Sequence, residues 1–407
     1  MTRSGIAGLL LAGVAAAPCV SAIDLDAHGY LDCRLVARAG ERSWADGGLG
    51  KTRFGTGGTS LGCVQAGATA TAQLTPSLLA LADIQYQTTD HNDFSVLEAY
   101  LRYRPVSTTP LRWSVKVGAF FPPVSFENDA IGWTSPWTIT SSAINSWIGE
   151  EFRSIGAEAR LEWRGATQTI TGIAAIVRSN DPAGELLAAR GWSLSDLVSG
   201  IGSHVREPDV YAIGGHVSVP LRFNPFLEND GDPGWYAGVT WSAPGRASVS
   251  LLRYDNEADP SSHSHGESPV FSWRTDFWSL GAQAEFGDVV VMGQAMTGST
   301  DIAPSPFFST YTDFSAAYVL AGWNCGAWRP ALRLDVFSTV QLPERINNRV
   351  REHGHAITFA LNWRPYEWLR LTGEALHVYS WRDQRIDEGL APDRSDDQVQ
   401  LSARFLF

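Results

Sequence analysis

The side chains able to do chemistry fall into two groups. The first is small and catalytic in type. His216-Val217-Ser218 places a base and a nucleophile two residues apart, which in an extended strand puts both on one face. His263-Ser264-His265 and His353-Gly354-His355 could each offer two metal ligands. No cysteine lies near either histidine pair, so solvated histidines are expected there and no metal site. No phosphate-binding loop, dinucleotide fingerprint or HExxH helix is present. The second group is large: arginines and carboxylates recurring at every other position. It comprises Glu98, Arg102, Arg104, Arg112, Lys116, Glu158, Arg160, Glu162 and Arg164, then Arg333, Asp335, Arg364, Arg370, Glu374 and Arg404. Guanidinium groups bind carboxylates and oxyanions through a planar fork, so such a face could select anions. It could equally pair arginine with acid on adjacent strands and select nothing, and both outcomes stay open. A hydrolase is carried as the alternative function, and no cofactor is expected.

The elements that carry these residues are strands. Alternation of period two dominates from about residue 28 to the end. At the C terminus Val399, Leu401, Ala403, Phe405 and Phe407 share one face and Gln398, Gln400, Ser402 and Arg404 the other. The 407 residues include 39 glycines, 16 tryptophans and 11 tyrosines, and lysine occurs only at 51 and 116. Net charge is −12, which argues against a nucleic-acid partner, since that needs a basic patch. The acid gathers between the periodic segments, as in Glu228-Asn229-Asp230-Gly231-Asp232, and reads as solvated loops.

Residues 1–22 read as an export signal. Arg3 precedes the apolar stretch Ile6–Ala17, and Val20-Ser21-Ala22 offers a cleavage site. Of the cysteines beyond it, Cys33 and Cys63 fall in the first two expected strands and Cys325 in a tight turn. An oxidising compartment permits one bridge, and whether Cys33 and Cys63 form it is left open.

Sixteen strands are expected: 28–38, 59–73, 78–88, 94–104, 111–120, 152–164, 167–178, 235–243, 246–254, 273–286, 287–298, 313–323, 328–338, 355–364, 368–380 and 397–407. The alternating segment Asp209–Pro220 is assigned to a loop; counting it with an unseen partner would give eighteen. Short connections alternate with long ones, the long ones being 39–58, 121–151, 179–234, 255–272, 299–312, 339–354 and 381–396, with 89–93 as the brief member of that class. Short turns on one side and long loops on the other are the asymmetry of a transmembrane antiparallel β-barrel, whose apolar face meets lipid and whose polar face lines a lumen. A soluble sandwich has no reason to produce it. Trp113, Trp163, Trp235, Trp241, Trp273, Trp278, Trp323, Trp328, Trp363, Trp368 and Trp381 sit near expected strand ends, where aromatic girdles belong.

The whole of 23–407 resembles a Gram-negative outer-membrane porin. Val399–Phe407, ending on Phe405 and Phe407, resembles the assembly signal of that class. Val115–Glu127 resembles, over about a dozen residues, the strand-and-loop entry of phosphate-selective porins of the O/P type; phosphate selectivity is not carried over. The resemblance implies an outer-membrane barrel passing small hydrophilic solutes or ions, delivered by the barrel-assembly machinery, with a homotrimer as a further expectation. It also implies that 121–151 folds inward as the constriction, setting Glu127, Asp129, Glu150 and Glu151, with Trp133, Trp137 and Trp147, against the wall arginines. A bias toward anions is the corresponding expectation. The serine of His216-Val217-Ser218 lacks the Asn-Gly that follows it in outer-membrane phospholipases. Connection 179–234, with a short helix expected near 183–190, could plug the mouth or recognise a solute; a plugged receptor or adhesin barrel is the third reading.

Overall fold

Side chains alternating between apolar and polar cannot all be buried in one core. A chain made of such segments must set one face against water and the other against something apolar. In a computed structural model, which describes residues 23–88, 93–209, 221–266, 269–342, 350–387 and 389–407, the solution is a closed ring of sixteen antiparallel strands among the described residues. In chain order these are β1 (Asp24–Ala39), β2 (Gly58–Thr75), β3 (Leu78–Gln87), β4 (Asp93–Tyr103), β5 (Leu111–Phe120), β6 (Ser154–Arg164) and β7 (Thr169–Arg178). After a two-stranded ribbon of β8 (Val205–Arg206) and β9 (Arg222–Phe223), the ring continues with β10 (Gly234–Ala243), β11 (Ala247–Asp255) and β12 (Arg274–Phe286). It ends with β13 (Val289–Ser305), β14 (Phe308–Trp323), β15 (Trp328–Leu342), β16 (Arg351–Tyr366), β17 (Leu369–Arg382) and β18 (Asp393–Leu406). Every wall strand pairs with its neighbours in the chain, β7 with β10, and β18 closes on β1 from Tyr30↔Leu406 to Ala39↔Asp397. Closure leaves no unpaired edge, which a backbone in lipid requires.

The sixteen expected strands are the sixteen observed. Of the segment Asp209–Pro220, residues 210–220, with His216 and Ser218, lie outside the described residues. The wall is not uniform in height. From β3 to β7 the strands have 10 or 11 residues, whereas β13 to β18 have 14 to 17. The tall strands run on into stretches expected to be loops: 299–312 is a hairpin turning at Pro306-Phe307, and 339–354 and 381–396 are shortened from both ends.

The exterior is apolar. Leu31, Ile84, Leu161, Val239, Leu280, Leu334 and Phe359 are exposed, as are Trp113, Trp163, Trp235, Trp241, Trp278, Trp323, Trp328, Trp363 and Trp368 near strand ends. Trp328 stacks on Trp363 at 5.2 Å, and Trp368 follows Tyr366 at 5.3 Å and Phe405 at 6.3 Å, an aromatic row beside the C terminus. Phe407 is fastened there by reciprocal backbone bonds with Gly29. Trp273 is an exception among the expected girdle residues. It is 1% exposed and packs inside with Ala188, Phe271 and Ile302, because its strand begins one residue later and its backbone N–H is taken by Asp181 O. Cys33 and Cys63, cross-strand partners on β1 and β2, form a disulfide, and Cys325 is free and exposed. Among the described residues no helix is long and apolar enough to cross a membrane, which says nothing of crossing by strands.

Candidate functional site: a lumen filled from two connections

A barrel this wide has too few wall side chains to fill its interior, so what occupies the lumen decides what it can do. Here two long connections enter it. The first, 121–153, carries α1 (Ala143–Glu151), every residue of which is buried. Its path is set by wall side chains that satisfy its backbone. Asp83 accepts from Gly132 N at 3.1 Å and Gln85 donates to Gly132 O at 2.9 Å. Gly132 has φ +68°, and a Cβ there would meet the Tyr30 hydroxyl at 2.8 Å, so only glycine fits. Trp133 follows with φ +55° and stacks on Phe121 at 3.8 Å. Arg404 donates to Thr134 Oγ1 at 3.2 Å, and Asn362 to Trp137 O at 2.7 Å. The Trp137 ring lies over Gly322, where a Cβ would come within 2.2 Å of it. Glu374 accepts from the backbone N–H groups of Ile139 and Thr140 and from Thr140 Oγ1 at 2.7 Å.

Arg333 is the centre of this attachment. Its Nε meets Asp335 at 2.8 Å, Nη1 meets Glu127 at 3.2 Å and Thr140 O at 2.7 Å, and Nη2 meets Ser141 O at 3.0 Å and Thr358 Oγ1 at 3.3 Å. The two acids beside it then serve the start of α1. Glu127 accepts from Ser142 N and Asn145 Nδ2, Asp335 accepts from Ala143 N at 3.2 Å, and Ser142 Oγ caps the helix through Asn145 N. Carboxylates at a helix N terminus answer its unpaired N–H groups and its dipole.

The second connection, 179–233, brings α2 (Glu185–Arg190) and the segment to Ser199 into the lumen against α1. Lys51 donates to Arg190 O at 2.8 Å and pairs with Glu352; Arg382 donates to Ala189 O at 2.7 Å; Glu352 accepts from Trp192 N at 2.9 Å. Trp192 meets Trp147 edge-on at 5.5 Å, joining the two connections. Farther along, Asp196 bridges Arg34 at 2.7 Å and Arg53 at 3.0 Å. Burial alone would raise the Asp196 carboxyl, but the two guanidinium groups hold it below its ordinary value.

The expected site residues divide accordingly. Arg333, Asp335 and Glu374 point inward but are sealed under the first connection, so they anchor it and meet no passing solute. Glu127, Glu150 and Glu151 are buried as well: Glu127 serves Arg333 and α1, Glu150 pairs with Arg190, and Glu151 accepts from Gly184 N, Leu186 N and Trp147 Nε1. The acids expected to face the wall arginines are thereby spent on packing, and Asp129 alone of the four is exposed. Arg404 is buried between Asp32 at 2.7 Å and Thr134. The other face is open. On β4 to β6, Arg160 and Arg164 are exposed beside Glu162, Lys116 pairs with Glu158 at 3.2 Å, and Glu98 accepts from Phe121 N at 3.0 Å. Arg104 lies exposed just past β4. Arg102 and Arg112, partly exposed, make no ion pair with a described residue, and neither does Arg370, the direct cross-strand partner of Arg404. Arg364 donates to Glu367 O at 2.7 Å. His263 and His265 are in an outer connection and His353 and His355 on β16.

Sequence reasoning missed Asp32, Arg34, Lys51, Arg53, Asp83, Asp196 and Glu352. Asp32 and Arg34 sit on the polar face of β1 and were legible from its alternation. Asp196 carries no local signal, because its partners are more than 140 residues away in sequence.

No family model matches the chain, and no curated protein matches it. Among solved structures it is similar to the outer membrane channel DcaP of Acinetobacter baumannii, with TM-score 0.59 and 12% identity over 97% of this chain and 100% of that one. It is also similar to a trimer form of OmpT, an outer membrane protein of Vibrio cholerae, with TM-score 0.52 and 10% identity over 95% of this chain and 100% of that one. An anion-selective porin from Comamonas acidovorans gives TM-score 0.50 and 12% identity over 95% and 100%. Identities this low speak for the fold alone, and the fold is that of the outer-membrane porins.

Proposed function

We propose that the protein is an outer-membrane porin that passes small hydrophilic solutes or ions by diffusion, with a bias toward anions. The observation that carries the reading is the open wall of β4 to β6. Arg102, Arg104, Arg112, Arg160 and Arg164 face water or stand partly exposed there, outnumbering the carboxylates beside them. Rings of such charge set which ions a pore admits. The inward connection 121–153 supplies the size limit. The apolar exterior and aromatic rows fit a bilayer, the C-terminal strand fits recognition by the barrel-assembly machinery, and the trimer form of OmpT supports a homotrimer here. Likeness to non-enzymatic channels supports a role without catalysis.

The dense packing of two connections inside the lumen favours one second reading, a plugged receptor barrel. Single-channel recording of the refolded mature protein in a planar bilayer, under a salt gradient, separates the two. Stepwise conductance with a reversal potential of anion sign is expected. Insertion without conductance would move the plugged receptor ahead, and a reversal potential of cation sign would remove the bias while leaving the porin.

A further inference from the structure

Within the second connection two carboxyl groups meet with nothing to hold them. Glu185 opens α2 and Glu207 follows β8, at 1% and 0% exposure. Their side chains lie within hydrogen-bonding reach of each other. Yet Glu185 Oε2 and both carboxylate oxygens of Glu207 receive no donor from a described residue. The groups facing them are known from each packed element. From α1 comes Glu151, and from α2 comes Arg190, which is paired with Glu150. Glu151 is occupied by Gly184 N, Leu186 N and Trp147. On the Glu207 segment His204 is exposed, and Arg206 pairs outward with Asp209, which also holds Arg42. Arg222, the cross-strand partner of Arg206 on β9, stands half-buried beside this segment, and Leu186, Val205, Phe223 and Val270 form one apolar cluster. Two like charges in contact, out of water and without donors, cannot both persist. None of the porin chemistry above uses this pair.

We propose that Glu185 and Glu207 are a proton lock: one proton shared between them seats residues 179–209 in the lumen, and its loss releases them and widens the passage. This rests on the porin reading and names its regulation. Atoms balance simply, since the shared O–H breaks and the proton passes to solvent as the segment leaves.

Burial pushes the Glu207 carboxyl up to about 8 and that of Glu151 up to about 7, and burial beside Glu207 raises the Glu185 carboxyl well above its ordinary value. Because the seated values lie above the ordinary carboxylate value of about 4.3, seating is fully favoured below that value and is lost as pH rises through about 8.

The test is mean current through the refolded mature protein in a planar bilayer across pH, paired with amide hydrogen exchange of 185–199 in detergent, corrected for the intrinsic pH dependence of exchange. Current is expected to rise about tenfold between about pH 6 and about pH 9, with exchange rising in step. The double variant Glu185→Gln, Glu207→Gln should flatten both profiles at their acid level. If it does not fold, shown by loss of the heat-dependent gel shift of a closed barrel, Glu207→Gln alone is read instead. A current that ignores pH in the wild type, or a variant that keeps the wild-type profile, overturns the lock and leaves the porin standing. No current at any pH, with an exchange step that the variant removes, keeps the lock and removes the porin. Closure by millimolar calcium at alkaline pH, reversed by a chelator and lost in the variant, makes the pair a cation site and overturns the proton lock.

Discussion

Two stretches of the same wall carry the same kinds of residue to opposite ends. On β15 and β17, Arg333, Asp335 and Glu374 are buried and bonded to a connection some 200 residues away in the chain. On β4 to β6, Arg102, Arg112, Arg160 and Arg164 remain in contact with water, two of them without an acidic partner among the described residues. Both sets alternate with apolar residues that face outward, so the strands themselves treat them alike. What separates them is cover. The first connection is bonded to β15, β16 and β17 and to Asp83, Gln85 and Glu98 on β3 and β4, while Arg102, Arg112, Arg160 and Arg164 lie outside its cover. An inward charge is therefore a fastening where a loop lies on it and stays in contact with water where none does.

The comparison can be broken from either side. The largest effect is expected on the covered wall. Arg333→Met would strand Glu127 and Asp335 in the interior, and removing one partner of a buried pair costs about 3–5 kcal/mol. Denaturant unfolding of the detergent-folded protein should show that loss, and bilayer recordings should show larger, noisier conductance as the first connection loosens. A stability unchanged from wild type would mean that Arg333 is no fastening. Asp196→Asn should act on the second connection with about 1–3 kcal/mol, since Arg34 and Arg53 each lose a charged acceptor. The same contact sets an acid limit. The Asp196 carboxyl is held below its ordinary value in the folded chain, so its contribution is full above about pH 4 and fades as pH falls further. Midpoints from acid titrations should show that loss in the wild type and much less of it in Asp196→Asn. The smallest effect on stability, and the sharpest on function, belongs to the open wall. Arg102→Glu with Arg112→Glu should leave unfolding within about 0.5 kcal/mol, as surface changes usually do, while moving the reversal potential toward cations. A double variant that unfolds easily but keeps its selectivity would collapse the distinction between the two walls.

Much of this was readable along the chain. Alternation in segments such as Ile155–Arg164 and Val399–Phe407 depends on a strand's own period of two, and each strand's place in the ring follows from a run of short and long connections. The expectation for 121–151 came from resemblance; in the structure Trp137 and Trp147 are buried and Trp133 is partly buried. The fates of its acids did not follow. Glu127 and Glu151 look, in sequence, like any loop carboxylates, and only Arg333 in one case and the start of α2 in the other show them as structural. β13 and β14 run past their expected ends because Ser299–Thr312 mixes Ile302, Phe307, Phe308 and Tyr311 with two prolines and polar residues, so no strict alternation marks a strand there.

By itself, then, the sequence determined that the chain is a sheet with one apolar face, how many strands it has, and which side chains point inward, because all of these are set by neighbours two residues apart and by turns between adjacent segments. Only the tertiary structure decided that Cys33 meets Cys63, that Trp273 packs inside, and which inward charges stay wet. Those outcomes depend on where two long connections come to rest, and a connection settles by satisfying its own buried N–H and C=O groups against whatever wall stands opposite, a match that no stretch of neighbouring residues contains.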